Sequence, residues 1–573
     1  MKQSNGTRNR RWGFFSPKNA KKLPYRTVLI LLLLLLLLPV GIYRGCFYTQ
    51  HADKRTYKPT EGHTATIILI DGLSSHIFQQ ELAKGKLPNL ARLISQSTYV
   101  RNGISSFPTM TGYGFYPFIT GSDAPQSGIL GLRWFDRNRP AGKLRNYVGR
   151  THIHMNEDIS PAIPTLFETY KEYYTSSINS YMNKGVNDAQ MTGWAHTTAK
   201  YEGKGIFGWL RAIPWIGHKI AKNHFEHETD VLDLALQQLE KNPKIQWITF
   251  PSPDAYNHVF GTDSTYHLLL RHIDGLIGRF VRRTAELGQD KQRLIAVVSD
   301  HGTADVYKNI DFIENLKNET GLQAERGNSV NIWSDKLEES DEVLKNSDAY
   351  FVINGNLCGY LYLKNTDETE AAAAWSRKPP HKLVTHYPKN NEIIDLPNKI
   401  RFFEGIELVA YRQNDSTLMI ANAQGYAQIT QITRPQKDSS MSGVYRYDTL
   451  TADPLHYAAT QQANLIGQAL GAQQWLYLTA QNTDFPYAVP RLFEVMRPQT
   501  APDLLFTASK GFDVANDYEI IVHNYKGGHG GLRRDLISVP YILHIPQQQP
   551  DTLQVLTNEA AGQIIKQFMM VNN

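Results

Sequence analysis

Asp254 and His258 stand four residues apart in "PSPDAYNH", directly after the apolar run "IQWITF" (Ile245–Phe250). That spacing puts both side chains on one helical face, or on one side of a tight loop. Asp71 closes "TATIILID", and Asp300-His301-Gly302 follows "LIAVVS" (Leu294–Ser299). His529 sits in "GGHGG" shortly before the run Ile537–Ile545, and "SSFPTMTGYGF" adds two hydroxyls, Thr109 and Thr111. Singly, each has a plainer explanation, such as a turn aspartate, a helix cap or a surface pair. Together they place three Asp, three His and a hydroxyl-bearing loop beside apolar runs. Mixed carboxylate and imidazole sets suit zinc, and two such sets suit a two-metal phosphoryl-transfer centre.

The elements that must position these groups are legible in outline. Short, continuous, β-branched runs suit parallel strands covered on both faces. They recur at 64–71, 245–250, 294–299, "DLLFTA" (Asp503–Ala508) and 537–545. Between several of them lie helical patterns, "LPNLARLISQ" and "STYHLLLRHIDGLIGRFVRRTAEL". Alternating strand and helix predicts an α/β sheet, and ligands of such sheets bind at the carboxyl ends of strands. From about Ala304 to Pro502 the pattern changes. "FFEGIELVAYRQNDSTLMIANAQGYAQIT" alternates apolar and polar residues between turn signals, as antiparallel strands do. This stretch reads as a β-rich insertion or cap.

Charge is uneven. Residues 1–26 hold eight Lys and Arg and no acid; without those eight of 60, 52 basic residues face 54 acidic ones. A body that is not basic argues against a nucleic-acid-binding role, and none is expected. "TVLILLLLLLLLPVGIY" (Thr27–Tyr43) follows, 17 residues without a charge, at the short end of what spans a bilayer. A cleaved signal is the rival reading, but no clear small-x-small site follows. The expectation is an uncleaved single-pass anchor in the cytoplasmic membrane, with residues 1–26 cytoplasmic and the rest extracytoplasmic, in a periplasm. The two cysteines, Cys46 and Cys358, are too far apart in the chain to suggest a disulfide. The predicted organisation is tail 1–26, anchor 27–43, linker 44–63, catalytic core 64–303, insertion 304–502 and the end of the core 503–573.

The ordered set of motifs resembles the alkaline phosphatase superfamily, and within it the nucleotide pyrophosphatase/phosphodiesterase branch. The resemblance rests on Asp71-Gly72, Pro88-Asn89-Leu90, Phe107-Pro108-Thr109-Met110-Thr111, Pro253-Asp254-Ala255-Tyr256-Asn257-His258, Asp300-His301-Gly302 and Gly528-His529-Gly530. It covers 64–136, 245–303 and 503–545. It implies an alkaline phosphatase-like core with a mostly parallel sheet flanked by helices, and two divalent ions, zinc, roughly 4 Å apart. It further implies that Thr111 is the nucleophile and a ligand. Asp71, Asp300 and His301 would join Thr111 on the first ion, and Asp254, His258 and His529 would hold the other. The implied substrate is a phosphate ester, of a nucleotide or a lipid head group, cleaved through a phospho-threonine. Thr109 reads as a residue that fixes the loop.

Three departures qualify the resemblance. Gly112 stands where the branch has an aromatic residue, and Asn257 where it has Gly. The branch's phosphate-binding Asn, 21 residues after the nucleophile, falls on Leu132, which offers no donor. Arg133 is then the candidate substrate-binding residue, with a surface pair to Asp136 as the alternative. The expected function is an anchored, extracytoplasmic metal-dependent phosphodiesterase or pyrophosphatase. A phosphomonoesterase or phosphoryl or head-group transferase of the same superfamily is an alternative, and an inactive anchored binding protein is one from another class. "GKGIFGWLRAIPWIGHKIAK" (Gly203–Lys222) lies either on a membrane surface or as a packed helix pair.

Overall fold

The computed structural model describes residues 29, 49–50 and 56–571, apart from 140–142, 202–203, 216, 328–329, 331–333, 339, 435–442, 460–464, 517 and 519–523. The chain divides into two units, Met1–Phe47 and Tyr48–Asn573; the architecture below is that of the second. The leucine run 27–43 lies outside the described residues save Leu29, and so does Cys46. No helix among the described residues is long and apolar enough to cross a membrane. Cys358 is buried and free.

All seven residues of Thr64–Ile70 are buried, and this strand forms the middle of a nine-stranded sheet. The order is Thr49–Gln50, Asp188–Gln190, Thr175–Ile178, Ile245–Phe250, Thr64–Ile70, Arg293–Val298, Ser538–His544, Thr98–Ile104, Asp551–Thr557. The three strands at its centre are parallel. Only Thr49–Gln50 and Ser538–His544 run against their neighbours. The result is the α/β sheet that the continuous apolar runs require, in mixed form. Ser264–Glu286, the longest described helix, starts at Asp263, whose side chain accepts from the Thr265 and Tyr266 amides. It buries Tyr266, Leu269, Leu270, Ile273, Leu276, Ile277 and Phe280, the 3.6-residue stripe of a helix lying on a sheet. Its Asp274 carboxylate takes the Asn89 and Leu90 amides and the Asn89 side chain. Asp274 therefore caps the helix Pro88–Ile94 at its Pro-Asn-Leu motif and docks it on its neighbour.

The region after residue 304 builds a second nine-stranded sheet. Ile406–Arg412, Thr417–Asn422 and Gly425–Thr433 form the antiparallel meander that the alternation predicts. One expectation fails here. The run 503–508 reads as a core strand, yet Leu504–Ala508 lies in this second sheet, between Cys358–Leu363 and Ile406–Arg412. Its five residues are all buried, and a strand covered on both faces looks the same in either sheet. The polar stretch before residue 64, expected to be a linker, is laid against the body. Lys58 N–H donates to the Glu172 carbonyl at 3.0 Å, Lys244 Nζ to the Glu61 carbonyl at 2.7 Å, and the His63 ring stacks on Phe568 at 4.1 Å.

Candidate metal centre and nucleophile

Asp71 is the first residue past the central strand, and its N–H donates to the Phe250 carbonyl at 3.1 Å. Gly72 follows with φ +71°, a conformation that favours glycine. A Cβ there would meet Asp254 Cβ at 3.0 Å and Thr303 Cγ2 at 2.8 Å. This close approach brings the end of one strand against the helix Ser252–Phe260, which follows the next strand. Asp254 sits in that helix's first turn and His258 one turn later. His258 Nε2 is 3.3 Å from Asp254 Oδ2, and His529 Nε2 is 3.7 Å from Asp254 Oδ1. Asp300 and His301 follow the strand Arg293–Val298 and are fully buried. His301 Nε2 lies 3.3 Å from Asp71 Oδ1 and 3.5 Å from Asp300 Oδ2. The His301 and His529 rings stack at 3.8 Å. Thr111 Oγ1 is 3.1 Å from His301 Nε2 and 3.4 Å from Asp71 Oδ1. The three Asp, the three His and Thr111 thus form one connected cluster.

The imidazoles share one arrangement. Nδ1 of His258 lies 3.0 Å from the Gly527 carbonyl, Nδ1 of His301 3.0 Å from the Gly302 carbonyl, and Nδ1 of His529 2.8 Å from the Thr109 carbonyl. A carbonyl only accepts, so each Nδ1 carries a proton and each Nε2 is directed toward the carboxylates. Carbonyl-held histidines of this kind are what metal sites use to orient their ligands. Both Asp300 oxygens are buried without a hydrogen-bond partner. Burial, then the charges of Asp300 and Asp254, push Asp71 well above the ordinary carboxylate range. Burial likewise raises Asp300. Burial also opposes ionisation of Asp254, but His258 and His529 outweigh it and hold that carboxyl low. Burial, then the neighbouring His301, keeps His529 far below the usual imidazole range. Buried carboxylates that repel one another beside carbonyl-held imidazoles fit divalent cations.

Two subsets bring their ligand atoms within 4.8 Å of one another: Asp71, Asp300 and His301, and Asp254, His301 and His529. The first contains all three protein residues expected on one ion besides Thr111. In the second His301 joins Asp254 and His529, while His258 reaches the group through Asp254.

Thr109 holds the loop. Its Oγ1 donates to the Gly531 carbonyl at 2.8 Å and accepts from the Gly530 amide at 3.0 Å, so it ties the threonine loop to the strand end that carries His529. Gly112 has φ +79°, and a Cβ there would meet Tyr181 Cβ at 3.2 Å. Tyr181, which the sequence reasoning missed, therefore stands beside the residue after Thr111. Burial, then Asp71 and Asp254, push its phenol up to about 12. One tyrosine among 30 gives no signal in the sequence. Leu132 packs against the core, and its N–H donates to Met110 Sδ at 3.1 Å. Arg133 is buried, donates from Nη1 to the Ile353 carbonyl at 3.3 Å and lies 5.1 Å from the Tyr518 ring centroid. The surface alternative fails: Asp136 takes Arg139 Nε at 2.8 Å, and Arg133 faces inward.

Residues 65–442 match the family described as type I phosphodiesterase / nucleotide pyrophosphatase. An uncharacterised pyrophosphatase/phosphodiesterase of Schizosaccharomyces pombe is 22% identical over 262 residues, which is 44% of this chain and 48% of that protein. The chain thus matches about half the length of that curated relative. Among solved structures, an inactive variant of murine ectonucleotide pyrophosphatase/phosphodiesterase 5 in complex with AMP is 11% identical. That match covers 89% of this chain and 95% of that one, with a TM-score of 0.46. The human protein of that name is 12% identical over 88% and 94% of the two chains, at 0.45.

Proposed function

The chain belongs to the type I phosphodiesterase/nucleotide pyrophosphatase family, a family of phosphoric ester hydrolases, and from that premise we propose that it hydrolyses phosphodiester or pyrophosphate bonds with Thr111 as nucleophile. One observation carries the reading: the Thr111 hydroxyl lies 3.1 Å from His301 Nε2 and 3.4 Å from Asp71 Oδ1, inside a cluster of three carboxylates and three carbonyl-held imidazoles. Asp71, Asp300 and His301 would hold one divalent ion with Thr111, and Asp254, His258 and His529 a second, zinc in both. Bound there, the ions would lower the pKa of the threonine hydroxyl and offset charge developing on the phosphoryl group. Thr111 Oγ1 attacks phosphorus, the bond to the leaving alcohol or phosphate breaks, and water then cleaves the threonyl phosphate. Thr109 keeps the loop in register, and the three backbone carbonyls keep each Nε2 directed inward. The Arg133 guanidinium, held against the Ile353 carbonyl and the Tyr518 ring, would add positive charge to the field at the substrate phosphate; its charge acts on Tyr181, the phenol that Asp71 and Asp254 also influence.

Leu132 favours a second reading, a phosphomonoesterase or transferase, because an apolar side chain packed on the core replaces the amide of the resembling branch. Turnover by the full chain of a chromogenic diester, a nucleotide pyrophosphate and a monoester, before and after chelation, separates the readings. Chelator-sensitive diester cleavage supports the first, and cleavage of the monoester alone the second. A metal-loaded protein that cleaves none of them overturns both.

The proposal includes a single-pass anchor at 27–43 with the catalytic body extracytoplasmic. A C-terminal reporter active only on the outer side of the cytoplasmic membrane supports it, and release of a protein that begins near residue 50 refutes it.

A further inference from the structure

Residues 203–222 carry Lys204, Arg211, Lys219 and Lys222 and no acid. Two short helices, Gly205–Arg211 and Gly217–Ile220, form a hairpin there, and the first buries none of its residues. Ile206 and Trp209 are one turn apart, on one face, and are 66% and 67% exposed. Trp215, between the helices, is 90% exposed and has φ +73°. The same body buries Trp247 and Trp475 completely. Two indoles and an isoleucine left in the open on one cationic hairpin mark an interaction surface.

The base of the hairpin is fixed while its apolar side chains face outward. Arg211 Nη1 donates to the Ala221 carbonyl at 2.8 Å and to Glu226 Oε2 at 2.9 Å. Lys222 pairs with Asp230 at 3.2 Å, and Phe207 stacks on Tyr201. Lys204 Nζ lies 4.7 Å from the Phe260 ring centroid, at the last residue of the helix that carries Asp254 and His258. The strand Asp188–Gln190 leads into this region, and Gln190 is paired with Thr49. The helix Gly193–Lys200 joins the end of that strand to the hairpin.

We propose that the hairpin 205–220 is a lipid-docking element that rests on an anionic bilayer surface. Ile206, Trp209 and Trp215 enter the boundary between headgroups and acyl chains, where indoles concentrate. Lys219, which is exposed, faces the anionic headgroups. A second copy of the chain does not fit this role, because two acid-free cationic hairpins repel. This inference goes beyond the catalytic reading and stands without it.

The test uses the full chain reconstituted in nanodiscs of phosphatidylcholine, with or without phosphatidylglycerol, and reads amide exchange by mass spectrometry. With phosphatidylglycerol, exchange across 204–220 slows by roughly tenfold or more relative to phosphatidylcholine alone. High salt reverses much of the effect, and the double variant Trp209→Ser/Trp215→Ser abolishes it. Unchanged exchange in the strand Thr64–Ile70 shows that the variant is folded. Equal exchange in both lipids overturns the proposal. So does protection that grows with protein concentration at fixed lipid, because that signals a second copy.

Discussion

His301 Nε2 lies 3.1 Å from Thr111 Oγ1, and the other nitrogen of the same ring is committed to the Gly302 carbonyl. The hydroxyl therefore meets a ring nitrogen and a carboxylate oxygen, and it is placed to lose its proton. Thr111→Ala lowers kcat/KM for the preferred diester by roughly a thousandfold or more, while Thr111→Ser keeps a measurable rate because the oxygen remains. Thr109→Ala acts differently. It breaks the link between the loop and Gly530–Gly531, so it lowers the melting temperature and reduces the rate less. Steady-state kinetics beside thermal melts check this, and a Thr111→Ala enzyme within tenfold of the parent would refute the nucleophile.

Both oxygens of Asp300 are buried without a hydrogen-bond partner. Burial and like charge raise it and Asp71 together. A metal-free protein carries that repulsion uncompensated. Asp300→Asn is therefore expected to raise the melting temperature of the chelated protein by a few degrees and to lower the zinc content of the loaded protein from two ions per chain to one. Metal analysis and melts with and without chelator read both effects. A variant that keeps both ions, or melts lower than the parent after chelation, contradicts the assignment.

Arg491 is buried and meets three carboxylates: Glu559 at 2.9 Å, Glu494 at 3.2 Å and Asp123 at 3.8 Å. Its Nε holds the Ser105 carbonyl at 3.0 Å, so this network supports the start of the threonine loop. One guanidinium does not neutralise three carboxylates. Burial pushes Glu494 up to about 7; Arg491 pulls against the rise, and Glu559 adds to it. The folded pKa is above the ordinary 4.5, so this group's contribution to stability is full below that value and is lost as pH rises through 7. Glu494→Gln keeps an acceptor for Arg491 and removes the titration. Its unfolding free energy relative to the parent, read from denaturant melts, should climb between about pH 5 and pH 8, by on the order of 3 kcal/mol at most. A pH-independent difference would show that Glu494 stays ionised.

The sequence makes the cluster legible because strand ends are where α/β sheets present ligands, and the Asp and His residues mark those ends by type and spacing. Their convergence on Thr111 follows from parallel neighbours that place Asp71, Asp254 and Asp300 after adjacent strands. What the sequence does not carry is the identity of partners across the fold. The run 504–508 is apolar throughout and gives no sign of which sheet takes it. Asp136 lies three residues from both Arg133 and Arg139, and only packing shows that Arg139 takes it. Tyr181 reaches the site because Gly112 leaves room beside it, and neither residue announces the other.

The position next to Leu132 decides how the phosphate is held. Leu132 has no side-chain donor and packs on the core. Arg133 follows it into the interior, where Nη1 reaches the Ile353 carbonyl and the guanidinium faces Tyr518. Its charge also acts on Tyr181, the phenol beside Asp71 and Asp254, so it contributes to the field where substrate would lie. Arg133→Met keeps the apolar stem and removes the charge. It is expected to lower kcat/KM for the preferred substrate by about tenfold or more, equivalent to about 1.4 kcal/mol of transition-state stabilisation, and to shift the ratio of diester to monoester cleavage. Arg133→Lys restores part of the rate, since a cation remains without the planar fork. A variant that melts lower yet keeps both rate and ratio would show that the guanidinium serves the fold, through contacts such as the Ile353 carbonyl and the Tyr518 ring, and that another group holds the phosphate.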